Sequence, residues 1–239
     1  MRKLAVAVLF LVAGCDPVSA RQETPAASAK APAPVPGPLV LLTDGNLSAD
    51  INLPQISGSS PAASQMISRE LGAVEQQAIR DANLCRHIAG EGQAKFEFEP
   101  ESINTRQHFL SVRFTAERTC GEARDQWAVV RTFDLRTGKQ ADPFDLISMT
   151  PGHWQALVEE QMTPGFRACT DRGNSDVIAM PMPYIAKGGM GVELPIAHGA
   201  PRSCLGERLV IPDEAVRRAS EDRLANGWRG PAHPDYIYS

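Results

Sequence analysis

This chain has no surplus of basic charge, no second long apolar run and no paired-cysteine chelate, and each absence removes a class of function. Twenty-four lysines and arginines stand against 28 acidic residues, a formal net charge of -4. A nucleic-acid partner calls for a basic face or stripe, so none is expected. The sequence has no Gly-x-Ser-x-Gly elbow, Walker A loop, dinucleotide-binding glycine fingerprint or His-Glu-x-x-His helix, and so lacks the spacings that announce hydrolase, nucleotide, nicotinamide or zinc-protease chemistry. None of the five cysteines forms a Cys-x2-Cys pair, and Cys85-Arg86-His87 is a poor chelate spacing, so no metal and no cofactor are expected. There is no internal repeat.

The one strongly apolar run is at the start. Arg2 and Lys3 precede an unbroken apolar stretch, Leu4 to Ala13, the shape of an export signal and about half the length needed to span a bilayer. It ends in Val12-Ala13-Gly14-Cys15, which resembles the lipobox of bacterial lipoproteins, where the cysteine receives the lipid and becomes the first mature residue. A cut after Ala20 also satisfies the small-x-small rule, but Asp16 and Pro17 end the apolar segment before that site. The reading is a signal peptide over 1–14, lipid attachment at Cys15, and a domain held at the envelope on the periplasmic side of a membrane. With the signal removed, the net charge is -6, from 22 basic and 28 acidic residues, which favours a cationic partner over an anionic one.

Four cysteines then remain: Cys85, Cys120, Cys169 and Cys204. An even number in an exported chain predicts two disulfides with three possible connectivities. Chain order favours Cys85–Cys120 and Cys169–Cys204.

Residues 15–38 are rich in alanine and proline and have almost no large apolar side chain, which predicts an extended tether. The folded domain is expected over 39–225, followed by a polar tail at 226–239. Within it, "INLPQISG" (Ile51–Gly58) reads as a strand. Ser60-Pro61 is a cap and first-turn proline, and Met66, Ile67, Leu71, Val74, Ala78 and Ile79 recur at helical spacing, predicting a helix over Ala62–Asn83. "AKFEFEP", "FLSVRFTAE" and "QWAVVRTFDL" alternate like strands with one wet face. They place Leu110, Val112, Phe114 and Ala116 inward with Trp127, Val129 and Phe133, and leave Arg131 as a charged exception. Arg136–Lys139 is a turn, Thr150-Pro151 opens a second helix to about Met162, and Thr163-Pro164-Gly165 reads as its stop. A hairpin about Lys187-Gly188-Gly189, a strand Arg208–Pro212 and a helix to Ala225 complete the order. Irregular alternation of strands and helices predicts a single α+β domain, an antiparallel sheet with flanking helices.

No catalytic residue emerges. Ser60 in Ser57-Gly58-Ser59-Ser60 is a helix cap before it is a nucleophile. His153, with Glu159 and Glu160 on later turns, is the most suggestive histidine and reads as a solvent-facing helix start; His87, His108 and His233 carry no chemistry. Asp134 with Asp145, or Glu97 with Glu99, make carboxylate pairs on paper, yet Glu97 and Glu99 fall on the wet side of a strand and Asp134 and Gly138 frame a turn.

Taken together, "INLPQISGS", a long helix, "TFDLRTGKQADPFDLI", a tyrosine-containing hairpin, "VELPIAHGA" and "RLVIPDEAV" resemble the extracellular domain of the lysozyme-sensing anti-sigma factors, which also accompanies some peptidoglycan deacetylases. Asp134, Thr137, Gly138 and Asp145 stand at motif positions, and the resemblance covers about residues 50–220. It departs at Cys120-Gly121-Glu122-Ala123-Arg124, where the family has a segment ending in Ala-His and this chain has arginine. The resemblance implies a non-catalytic module that binds peptidoglycan or a lysozyme-like protein. A cell-wall hydrolase using carboxylates or His153 and a structural lipoprotein that recruits other envelope proteins are the alternatives.

Overall fold

Strict alternation over Leu110–Ala116 sends every second side chain to one face, and that face is the centre of the main core: Leu110, Val112, Phe114 and Ala116 are all buried. The computed structural model describes residues 35–147, 149–172, 181–194 and 208–225, all within one compact unit, Ala31–Ser239. Five strands form the first sheet: β1 (Val35–Asp44), β2 (Leu47–Gln55), β3 (Ala94–Arg106), β4 (Phe109–Cys120) and β5 (Ala123–Asp134), in that spatial order. β1–β2, β3–β4 and β4–β5 are antiparallel hairpins with two-residue turns. Their first turn residues, Gly45, Gln107 and Gly121, all have positive φ, the handedness that suits the twist of the flanking strands.

The antiparallel expectation holds for three of the four pairings. β2 and β3 run parallel, with Leu47 beside Ala94 and Ile51 beside Phe98, and such a pairing needs a crossover. α1 (Pro61–Ala89) supplies it. Ser60 caps this helix by accepting from the Ala63 N–H at 3.1 Å. Ala63, Ile67, Leu71, Val74, Ala78, Ala82 and Cys85 are buried on one stripe, as helical spacing dictates, and from Ile67 onward they share a core with Ile51, Phe96, Phe98, Val112 and Phe114. The helix runs six residues beyond the expected Asn83 because its last turns are also anchored: Cys85 is disulfide-bonded to Cys120. β1 begins at Val35, four residues before the expected start at Leu39.

A second layer follows the Arg136–Lys139 turn. The 3-10 helix Pro143–Leu146, α2 (Pro151–Gln161), α3 (Pro164–Arg172) and α4 (Asp213–Ala225) surround a three-stranded antiparallel sheet of β6 (Met182–Ala186), β7 (Gly189–Glu193) and β8 (Leu209–Pro212). Its own core gathers Phe144, Trp154, Val158, Phe166, Met190 and Ile211. The expected stop at Thr163-Pro164-Gly165 is a brief break followed by a new helix, in which the Thr163 hydroxyl accepts from the Phe166 N–H at 3.2 Å. The single sheet expected from the strand order is therefore two, with β6 lying against β3 and β4. Among the described residues, no helix is long and apolar enough to cross a membrane.

Candidate functional site

The first sheet has an inner face under α1 and an outer face that divides into two halves of different chemistry. Over one half the second sheet is docked. There Ser111, on the outer side of β4, accepts from the backbone N–H of Ile185 in β6 at 3.1 Å and shares a 2.8 Å hydrogen bond with Thr132. Beside them lies Arg113, only 5% exposed. Its Nε donates to Glu193 of β7 at 2.6 Å, and its guanidinium is also ion-paired with Glu101, which Arg208 engages from the other side. Glu101 reaches this position because the β3–β4 register shifts between Pro100 and Ser102, a bulge that re-aims one side chain. Burial pushes the Glu193 carboxyl above its ordinary value, with the Arg113 charge and hydrogen bond pulling the other way. Burial likewise raises the phenol of Tyr184, whose ring lies across Gly191, its partner on β7. These charges neutralise one another inside the fold.

The other half is open. The register places Leu41, Asp50, Glu97, Glu117 and Gln126 side by side across all five strands, so three carboxylates stand on adjacent strands about 5 Å apart. Glu99 stands on the same face, and so do two bases in the neighbouring row: Lys95, whose ammonium pairs with Glu97 at 2.5 Å, and the exposed Arg124, aligned with Lys95 through Thr119. The Lys95 pKa is raised by its hydrogen bond and charge interaction with Glu97, and further by Glu117 and Asp50. Leu39 and Leu41 border this acidic row from β1, 54% and 62% exposed.

The residues singled out by sequence fall in several places. Cys85 and Cys120 form the expected bond, joining the end of α1 to the β4–β5 turn. Cys15 and Cys204, His233 and the side chain of Cys169 lie outside the described residues. Asp134, Thr137 and Gly138 build one turn: the Asp134 carbonyl accepts from the N–H groups of Thr137 and Gly138 at 3.2 and 2.7 Å. The Asp134 carboxylate is held by Arg136, whose side-chain hydrogen bond lowers its pKa most. Gly138 has φ +75° and abuts the carbonyl of Ala63, where a Cβ would collide, so the turn is pressed on the start of α1. Asp145 sits exposed on the 3-10 helix, whose cap is Asp142, accepting from the Phe144 N–H at 2.8 Å. Asp134 and Asp145 therefore serve separate structures. His153 is in the first turn of α2 with its N–H on Thr150 Oγ1 at 3.3 Å, and Glu159 accepts from Gln155. Arg131 is on the inner face as expected, where burial lowers its pKa and the Glu70 carboxylate opposes that shift.

Sequence reading missed Glu101, Arg113 and Glu193. The signal was present: in "LSVRFTA" and "MGVEL" one charge interrupts an apolar strand. The acidic row could not be found without the register, since its members are distant in sequence. Among the described residues, no group of histidine, cysteine or carboxylate side chains could hold a metal ion.

No protein-family model matches this chain, and no curated protein matches it. Solved structures with a similar arrangement are DUF3298-family proteins. One, from Bacteroides fragilis NCTC 9343, is 13% identical with a TM-score of 0.42, covering 77% of this chain and 92% of its own. Another, from Pseudomonas aeruginosa PAO1, is 11% identical with a TM-score of 0.43, covering 80% of this chain and 94% of its own.

Proposed function

We propose that this chain is a lipid-anchored protein of the bacterial envelope, attached through Cys15, whose domain is a non-catalytic binding module for a lysozyme-like protein or for peptidoglycan. The observation that carries the reading is the open half of the outer sheet face with Asp50, Glu97 and Glu117 in one row. A cationic muramidase is the complementary partner, and charges so arranged speed encounter at low salt. The resemblance to lysozyme-sensing domains points to the same partner. The Cys85–Cys120 disulfide agrees with an oxidising compartment such as the periplasm.

The test is retention of the full chain, purified in detergent, on immobilised lysozyme and on insoluble peptidoglycan at low and high ionic strength. Binding to lysozyme that weakens as salt screens the row is expected. Failure to bind either material overturns the proposal, and zymogram clearing that His153→Ala abolishes favours the hydrolase instead. The mature chain is expected to begin with a lipidated Cys15; a free Arg21 by mass spectrometry contradicts the anchor.

A further inference from the structure

The two edges of the five-stranded sheet are protected unequally. β5, at one edge, carries Arg124, Asp125 and Arg131, and Phe133 at its end bridges to Gln140. Charges along an edge are the usual device against pairing with another strand. β1, at the other edge, has no charged residue from Val35 to Thr43. It also holds three of the six exposed large apolar side chains among the described residues: Val35, Leu39 and Leu41.

Which backbone groups face outward follows from the hairpin. The two-residue turn Gly45-Asn46 makes Asp44 and Leu47 the closing pair, which is hydrogen-bonded in such hairpins. Alternation then leaves residues 39, 41 and 43 with N–H and C=O directed away from β2. No described strand takes them up. An edge of this kind accepts an extended strand, and the segment upstream is a poor candidate. Pro25, Pro32 and Pro34 punctuate it, and proline has no N–H to give to a ladder.

We infer that β1 is the self-association edge of this protein, and that its occupant is β1 of a second copy, paired antiparallel about Leu41. This two-fold arrangement sets Leu41 against its symmetry mate and Leu39 against Thr43, joining apolar side chains already exposed on both copies. Charge does not oppose it at physiological salt. Asp44 at the strand end is bound to Arg86, and the two copies of Asp44 lie roughly 20 Å apart along the strands. The two Asp50 residues, each beside Leu41, are three strand spacings apart, about 14 Å. Both separations exceed the Debye length of about 8 Å at physiological ionic strength. At low salt the aligned acidic rows repel, so the association strengthens as salt rises, the reverse of the behaviour proposed for a cationic partner.

Sedimentation equilibrium of the full chain in detergent tests this across salt and protein concentration. A monomer–dimer equilibrium is expected that tightens with salt, weakens at least about tenfold in Leu41→Lys, and is unchanged in Leu84→Lys, a substitution at another exposed apolar site. Leu41→Cys is expected to give a covalent dimer under mild oxidation, and Leu84→Cys is not. Retention of the thermal unfolding midpoint by Leu41→Lys shows that the fold is intact. A monomer at every concentration and salt, or a dimer indifferent to Leu41→Lys, overturns the inference. Lysozyme binding by a strictly monomeric chain would sink this edge and leave the proposed function standing.

Discussion

A methyl group on Gly191 would land 2.2 Å from Cζ of Tyr184. The glycine is thus the floor on which the tyrosine ring lies, and neither residue can be read alone. Gly191→Ala is expected to destabilise the protein by roughly 1–3 kcal/mol through overpacking, measured by urea unfolding; an unchanged midpoint would show that the ring moves freely. Glu193, nearby, makes a pH-dependent contribution of definite sign. Its folded-state pKa is raised by burial, so the folded chain holds the proton more readily than the unfolded one. Stability from this group is fully present below the unfolded value, near the ordinary 4.5, and is lost as pH rises through the raised folded value. Glu193→Gln removes that decline. Its unfolding midpoint is expected to be flatter than the wild type's as pH rises from about 4.5 toward neutrality, and parallel curves would contradict the assignment.

Among the elements, helix starts follow a shared grammar: a hydroxyl cap followed by proline, as in Ser60-Pro61, Thr150-Pro151 and Thr163-Pro164. The third resembles a stop in sequence because Gly165 follows and α2 has just ended, although the cap chemistry is the same. Thr163→Ala is expected to cost about 1 kcal/mol, with lower amide protection over α3 in hydrogen exchange; unaltered protection would show that the cap is idle. Strands β3, β4 and β5 were legible because each alternates against one buried face. β1 was not, since Pro36 and Pro38 mask a strand that is an edge and needs few ladder donors. The parallel β2–β3 pairing left no local trace, because it depends on α1 carrying the chain back to the end of the sheet where β2 began and on β3 then settling beside β2. The bulge at Glu101 was equally silent; one extra residue in a ladder appears only when the opposite strand is known.

For the molecule as a whole, Arg113 joins two sheets with separate apolar cores. Arg113→Ala leaves the buried carboxylates of Glu193 and Glu101 without their shared cation, and is expected to cost about 3–5 kcal/mol. Hydrogen exchange should show β6 and β7 losing protection before β3 and β4 do; uniform loss would mean that the sheets unfold as one unit. The class of fold was readable because periodicity is local. The division into two sheets, and the halves of the outer face, were not, because they arise from contacts such as Ser111 with Ile185 and Arg113 with Glu193 that join distant parts of the chain.

The parallel pairing of β2 with β3 also orders events in time. Three hairpins of the first sheet close over two-residue turns, at little cost in chain entropy. Leu47 and Ala94 become neighbours only after the whole of α1 has been laid between them. The β1–β2 hairpin and the β3–β5 meander are therefore expected to form early as separate pieces, and their union to set the folding rate. Until then the apolar sides of both pieces face water, and α1 is less a cover for the sheet than the latch that brings its halves together.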